Sequence, residues 1–167
     1  MRMESTVVPL ALFVCRTNAT SSIMAEAILK DRAKDRLRAA SGGEPRYDTG
    51  VNPFALECLR AHGIAIQGLR SKPWGEFFGL GKPPVRFLIA LSDLYATKAD
   101  WPYATVIAHW PMPDPGEIAS SDTDIRAAFE VAYADLDLRI QKFLALPLEK
   151  LNDRSLAQEL KRIGKTG

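Results

Sequence analysis

The run Leu10-Ala11-Leu12-Phe13-Val14 ends on a cysteine, and the residues beyond it constrain the fold as much as the run itself. Cys15 opens a loop of small and polar residues, Arg16-Thr17-Asn18-Ala19-Thr20-Ser21-Ser22, which enters a segment whose Met24, Ala27 and Ile28 fall at helical spacing. An uninterrupted apolar strand is buried on both faces, as central strands of parallel sheets are. A strand, a tight loop and a helix N-terminus in that order form a concave ring of backbone N–H groups, which attracts anions. A thiol at the edge of such a ring is drawn toward its nucleophilic thiolate form.

The rest of the chain repeats the alternation of strand and helix. The pattern predicts a first strand over Val7 to Val14 and a helix from about Ser22 to about Ala40, ended by Ser41-Gly42-Gly43. A short second strand is expected at Arg46 to Thr49, then a helix from Pro53 to about Ala61 closed by Gly63. Trp74 to Phe78 has no clear form, and Gly79 to Pro84 reads as a loop. Val85 to Leu91 is a second run, apolar but for Arg86, followed by a helical turn and a fourth strand over Ala104 to Ala108. His109 to Pro115 is a proline-stiffened loop. A long helix starts near Ser121 or Asp122, with Ile125, Phe129, Ala132, Leu136, Ile140 and Phe143 along one face, and a last helix runs from about Ser155 to Ile163. This order predicts one α/β domain over residues 1–167, with right-handed crossovers and a ligand site beyond the carboxyl ends of the strands. Cys15, Ser92 and His109 fall at such ends.

Composition excludes more than it assigns. A net charge of +2, with no basic stripe interleaved with aromatics, gives no argument for nucleic acid. No apolar run approaches the ~20 residues of a membrane span, and Met1 to Val8 lacks a secretory apolar core, so a cytoplasmic location is expected. Two cysteines, Cys15 and Cys58, make neither a disulfide framework nor a zinc site by spacing. Cys58 sits mid-helix and reads as buried; His62, near a helix end, is assigned no chemistry. Arg16 either curls over a bound anion or points to solvent, and Arg70 either rims the site or is simply solvated.

Cys15, Asn18, Ser22 and Met24-Ala25-Glu26-Ala27 also stand in the register of a known motif. The stretch resembles the active-site loop of low-molecular-weight protein tyrosine phosphatases and of the thioredoxin-type arsenate reductases that share their fold. Val51-Asn52-Pro53, Gly63-Ile64, Arg70-Ser71-Lys72, Ala108-His109-Trp110, Pro113-Asp114-Pro115 and the tail Phe143 to Leu148 extend the resemblance along the arsenate-reductase branch. It implies a three-layer α/β fold, a four-stranded parallel sheet with helices on both faces. It implies Cys15 as nucleophile, Asp114 as proton donor to the leaving group, and Arg16, Thr17, Asn18, Ala19, Thr20, Ser21 and Ser22 as the anion-binding loop. Phosphate, sulfate or arsenate is the expected oxyanion, free or on a phosphorylated protein, with no metal or organic cofactor.

Three positions depart from that pattern. The family's loop arginine, six residues after the cysteine, is Ser21 here, and Thr17 stands where glycine is usual. Ser92 occupies the place of a redox cysteine, so an internal disulfide cascade is excluded there and reduction needs an external thiol such as glutathione. Two outcomes stay open: an enzyme with impaired catalysis, either phosphatase or arsenate reductase, or a module that binds an anion or phosphoprotein without turning it over.

Overall fold

The computed structural model describes residues 7–45, 50–92 and 106–165. Four parallel strands, β1 (Leu10–Val14), β2 (Arg38–Gly42), β3 (Val85–Ala90) and β4 (Val106–His109), lie in the order β2-β1-β3-β4. The chain leaves β1 for the strand on one side and later crosses to the strand on the other. The end of β1, where Cys15 sits, is therefore the switch point at which such sheets open a crevice.

Alternation of side chains divides the core in two. Ala11 and Phe13, with Phe87 and Ile89 beside them, share one cluster with the apolar faces of α1 (Ser21–Ala33), α2 (Pro53–Ala61), α3 (Asp122–Leu144) and α4 (Asp153–Gly164). Leu10, Leu12, Val14, Leu88 and Ala90 form the other, under Trp74 and Phe77 of a short 3-10 helix (Trp74–Phe77) and the adjoining Phe78. The three-layer α/β architecture is the expected one.

The helix after the loop is shorter than its sequence suggests. It stops at Ala33, Lys34 turns the chain with φ 51°, and Leu37 tucks into the core. Arg38 to Gly42, read as the helix end, is the edge strand β2, paired in register from Leu10↔Arg38 to Val14↔Gly42. Its Ala39-Ala40-Ser41-Gly42 run favours helix over strand on propensity alone. Pairing with β1 overrides that preference, and small side chains leave room for α1 above. The strand expected at 46–49 and the turn expected after Ser92 lie outside the described residues, as does Ala104. β1 begins at Leu10, because Pro9 cannot donate to a ladder and Val7 is exposed.

Other boundaries match. Pro53–Ala61 is helical, with Asn52 Oδ1 accepting from Phe54 N at 2.9 Å. Phe129, Ala132, Leu136, Ile140 and Phe143 of the predicted stripe are buried on α3. Helix α4 starts at Asp153, two residues early, since Asn152 caps it through Ser155 N. Trp110, fully buried, donates its indole N–H to Leu160 O at 2.9 Å and ties β4 to α4. Among the described residues no helix is long and apolar enough to cross a membrane.

Candidate active site

Cys15 leaves β1 with its N–H on Gly42 O at 3.3 Å, so the edge strand β2 helps hold the residue that starts the loop. The loop then folds back over β2. Asn18 adopts φ 51°, a left-handed conformation that asparagine tolerates through local hydrogen bonds. Its Oδ1 accepts from Lys72 N at 3.0 Å, which fixes the amide's orientation. The two Nδ2 hydrogens then go to Ser22 Oγ at 2.8 Å and Ser41 Oγ at 2.9 Å.

That arrangement sets the Ser22 hydroxyl beside the sulfur. Ser22 Oγ accepts from Asn18 and lies 2.8 Å from Cys15 Sγ, a contact in which either group can donate. A hydroxyl donated to sulfur suits a thiolate. Loop position depends equally on close backbone approach: a Cβ on Gly43 would lie 2.9 Å from Arg16 O and Asn18 N, so only glycine fits. Glu44 N, Asn52 N and Ser71 Oγ reach the loop carbonyls of Arg16, Ala19 and Thr17.

Beneath the loop lies a buried ionic network. Glu26, 2% exposed, accepts from Ser41 Oγ at 2.7 Å, Lys30 Nζ at 2.7 Å and Lys72 Nζ at 3.2 Å. Burial pushes the Glu26 carboxyl up, but the Lys30 hydrogen bond, the Lys72 charge and the Ser41 hydroxyl outweigh it and hold it below the usual value. Burial likewise lowers Lys72, against the pull of Glu26.

Thr20, the N-cap of α1, makes no side-chain cap. Its Oγ1 donates instead to Asp114 Oδ1 at 2.8 Å, which also accepts from Gly116 N at 2.8 Å. The contact acts on both partners. The first-turn N–H groups of α1 keep no side-chain acceptor, the condition under which a helix N-terminus holds an anion. Asp114 is drawn to the loop from 94 residues away, with Oδ2 the oxygen outside those two bonds.

A cavity of about 490 Å³ opens between the two segments, lined by Cys15, Arg16, Ser21, Leu91, Ser92, Pro111, Met112, Pro113, Asp114 and Glu117. Cys15 and Asp114 therefore share one cavity, and Arg16 lines it too. Thr17, Asn18, Ala19, Thr20 and Ser22 do not line it; Asn18, Thr20 and Ser22 direct their side chains into the supporting network. His109 lies on another surface, beside Arg154 and Lys161 of α4. Arg70 pairs with Glu76 at 2.5 Å on an exposed surface away from the cavity. Cys58 reaches Phe129 O at 3.7 Å and Glu130 Oε1 at 3.5 Å. Glu26, Ser41 and Lys72 are the supports the sequence did not single out for a role, although Lys72 and Glu26 both lie in stretches that carry the resemblance.

A parallel sheet with a cysteine loop at its switch point and an Asp-Pro loop facing it defines the fold shared by small tyrosine phosphatases and arsenate reductases. In sequence, residues 11–79 match the family model described as low molecular weight phosphotyrosine protein phosphatase. In structure, the chain is similar to an arsenate reductase in its phosphate-binding state, at 24% identity over 80% of this chain and 98% of that one, with a TM-score of 0.61. It is similar to the Erwinia amylovora tyrosine phosphatase AmsI, at 18% identity over 86% and 95%, TM-score 0.62. It is also similar to the T. tengcongensis low molecular weight protein tyrosine phosphatase, at 23% identity over 80% and 99%, TM-score 0.61. No curated protein matches the chain. The resemblance read from the sequence is borne out, and at these identities the structural likeness fixes the fold.

Proposed function

We propose that the chain is an oxyanion-processing homologue of these enzymes, with Cys15 as nucleophile and catalysis slowed by the loss of the loop arginine. The observation that carries this reading is the shared cavity: the Cys15 sulfur, backed by the Ser22 hydroxyl, faces the same space as the Asp114 carboxyl. For a phosphomonoester, Cys15 Sγ attacks phosphorus, the P–O bond to the leaving group breaks, and Asp114 supplies the proton that oxygen needs. Water then cleaves the phosphocysteine, with Asp114 taking its proton. For arsenate, Cys15 Sγ bonds to arsenic as water leaves; an external thiol then attacks that sulfur, the S–As bond breaks with its electron pair on arsenic, and arsenite and a mixed disulfide result.

Ser21 supports the slow rate. A guanidinium there would hold two equatorial oxygens with charge; a serine offers one neutral donor. Losing one oxyanion donor costs ~10²–10³ in rate. Arg16, exposed at the cavity mouth, supplies charge but sits directly after the cysteine. The substrate is a small oxyanion or a phosphorylated protein, and the site is expected in the cytoplasm.

Turnover of p-nitrophenyl phosphate, and of arsenate with glutathione, measured beside Cys15→Ser, tests the proposal. Slow turnover that vanishes in Cys15→Ser is the expected result. Equal background in both proteins would overturn the enzyme reading in favour of the second one, an anion- or phosphoprotein-binding module, which Ser21 and Ser92 favour. Phosphate-dependent shifts at the amides of Asn18 to Ser22 would then mark that module.

A further inference from the structure

Away from the cavity, α2 and α3 bring together three side chains of a different chemistry. Cys58 lies on α2, and His62 stands one turn later at its C-cap. Glu130 of α3 faces both: its Oε1 is 3.5 Å from Cys58 Sγ and its Oε2 is 2.7 Å from His62 Nε2. All three ligand atoms lie within 4.8 Å of one another. We propose that Cys58, His62 and Glu130 form a binding site for a divalent d-block cation of the zinc type, with its fourth position open to water.

The donor set and its spacing both fit. Zinc takes thiolate sulfur at ~2.3 Å, imidazole nitrogen at ~2.0 Å and carboxylate oxygen at ~2.0–2.2 Å in a tetrahedron, which sets its ligands roughly 3.3–3.6 Å apart. Glu130 Oε1 already stands 3.5 Å from Cys58 Sγ, while Oε2, which lies 2.7 Å from His62 Nε2, has to draw back by about 0.6 Å or more to reach that spacing. The imidazole plane is held by stacking on Tyr133, at 3.7 Å between centroids and 10°. Cys58 is buried, while His62 and Glu130 are partly exposed, so an ion has a route in and its sulfur ligand is shielded.

Binding has to displace the Cys58 proton. Burial, then Glu130 and Glu57, push the Cys58 thiol up to about 12, so it stays protonated without a positive partner. A divalent ion reverses that balance. The S–H bond breaks, the Sγ–metal bond forms, the proton leaves to solvent, and nothing is oxidised or reduced. The ion would clamp α2 to α3. Because Asn52, at the other end of α2, donates its N–H to Ala19 O, the clamp also steadies the cysteine loop.

In Cys15→Ser the sole remaining thiol is Cys58, since the chain has two cysteines. Titration of that protein with Co²⁺ should give a saturable 1:1 thiolate-to-cobalt charge-transfer band. The band should vanish in Cys58→Ala in the same background, and affinity should fall by at least ~10-fold in His62→Ala and in Glu130→Gln. Zn²⁺ should displace the band and, at a hundredfold excess over its Kd, raise Tm by ~5 °C or more. Absence of the band, or undiminished affinity in both His62→Ala and Glu130→Gln, would overturn the site. Those two positions are partly exposed, so their variants keep the test open should Cys58→Ala fold poorly.

Discussion

Replacing Lys72 by methionine isolates the charge under the loop. Methionine keeps most of the stem, gives up the ammonium's place 5.9 Å over the Phe77 ring, and leaves the Lys72 backbone N–H on Asn18. What disappears is one cation from a carboxylate that is 2% exposed, its partner being 9% exposed, so solvent screening is slight. Removing one member of a buried pair costs ~3–5 kcal/mol. Lys30 and Ser41 still hold Glu26, and burying the Lys72 ammonium carries its own penalty, so the lower end applies, about 3 kcal/mol. For a chain of this size that is a Tm lower by ~6–12 °C and a urea midpoint lower by ~1–2 M. The pH dependence has a definite sign. Glu26 is held below its unfolded value of 4.5, so its contribution is present above that pH and is lost as pH falls through the folded value. Without Lys72, burial lifts the carboxyl, and the gap between variant and parent should narrow as pH drops toward about 5. Urea unfolding at pH 7 and pH 5, with Glu26→Gln and the double variant completing the cycle, measures all of this. A loss under ~1 kcal/mol at pH 7, or a double variant whose loss equals the sum of the singles, would refute the argument.

The same geometry sets other outcomes. Ser21→Arg points a guanidinium into the cavity that holds Cys15 and should raise p-nitrophenyl phosphate turnover by at least ~10²-fold; Cys15→Ser in that background should abolish the gain, and a folded but no faster Ser21→Arg would mean the loop has left catalysis. In the metal-free protein Cys58 should resist iodoacetamide at pH 8, its thiolate fraction being ~10⁻⁴ with the thiol pushed up to about 12. That raised thiol stabilises the fold fully below the unfolded value near 9 and loses its contribution as pH climbs from 9 toward 12; unfolding curves of Cys58→Ala should lack the decline, and an identical alkaline decline would sink the assignment.

The central strands were legible because Leu10–Val14 is apolar throughout and Val85–Ala90 is apolar but for Arg86, and α3 because its stripe keeps helical spacing from Ile125 to Phe143. β2 was not, since an edge strand of small residues carries no alternation and its alanines argue for helix. Cys15 and Asp114 could be read from the motifs around them. The supporting contacts could not: Asn18 to Ser41, Glu26 to Lys72 and His62 to Glu130 join residues 23, 46 and 68 apart, and no local pattern signals such pairs.

The two groups proposed to react sit at opposite ends of the protein's range of local stability. Cys15 ends a strand laddered along both edges and covered on both faces, the kind of segment that opens only when the whole domain does. Asp114 reaches the cleft on a loop held through side-chain hydrogen bonds from Thr20 and from Arg139 of α3, the latter on Pro111 O. Such a segment detaches in its own local opening, at far lower free energy. On warming, the nucleophile therefore outlasts the acid. If the proposed roles hold, esters with poor leaving groups should lose turnover below the global transition, while p-nitrophenyl phosphate, whose leaving group hardly needs a proton, should continue nearly up to it.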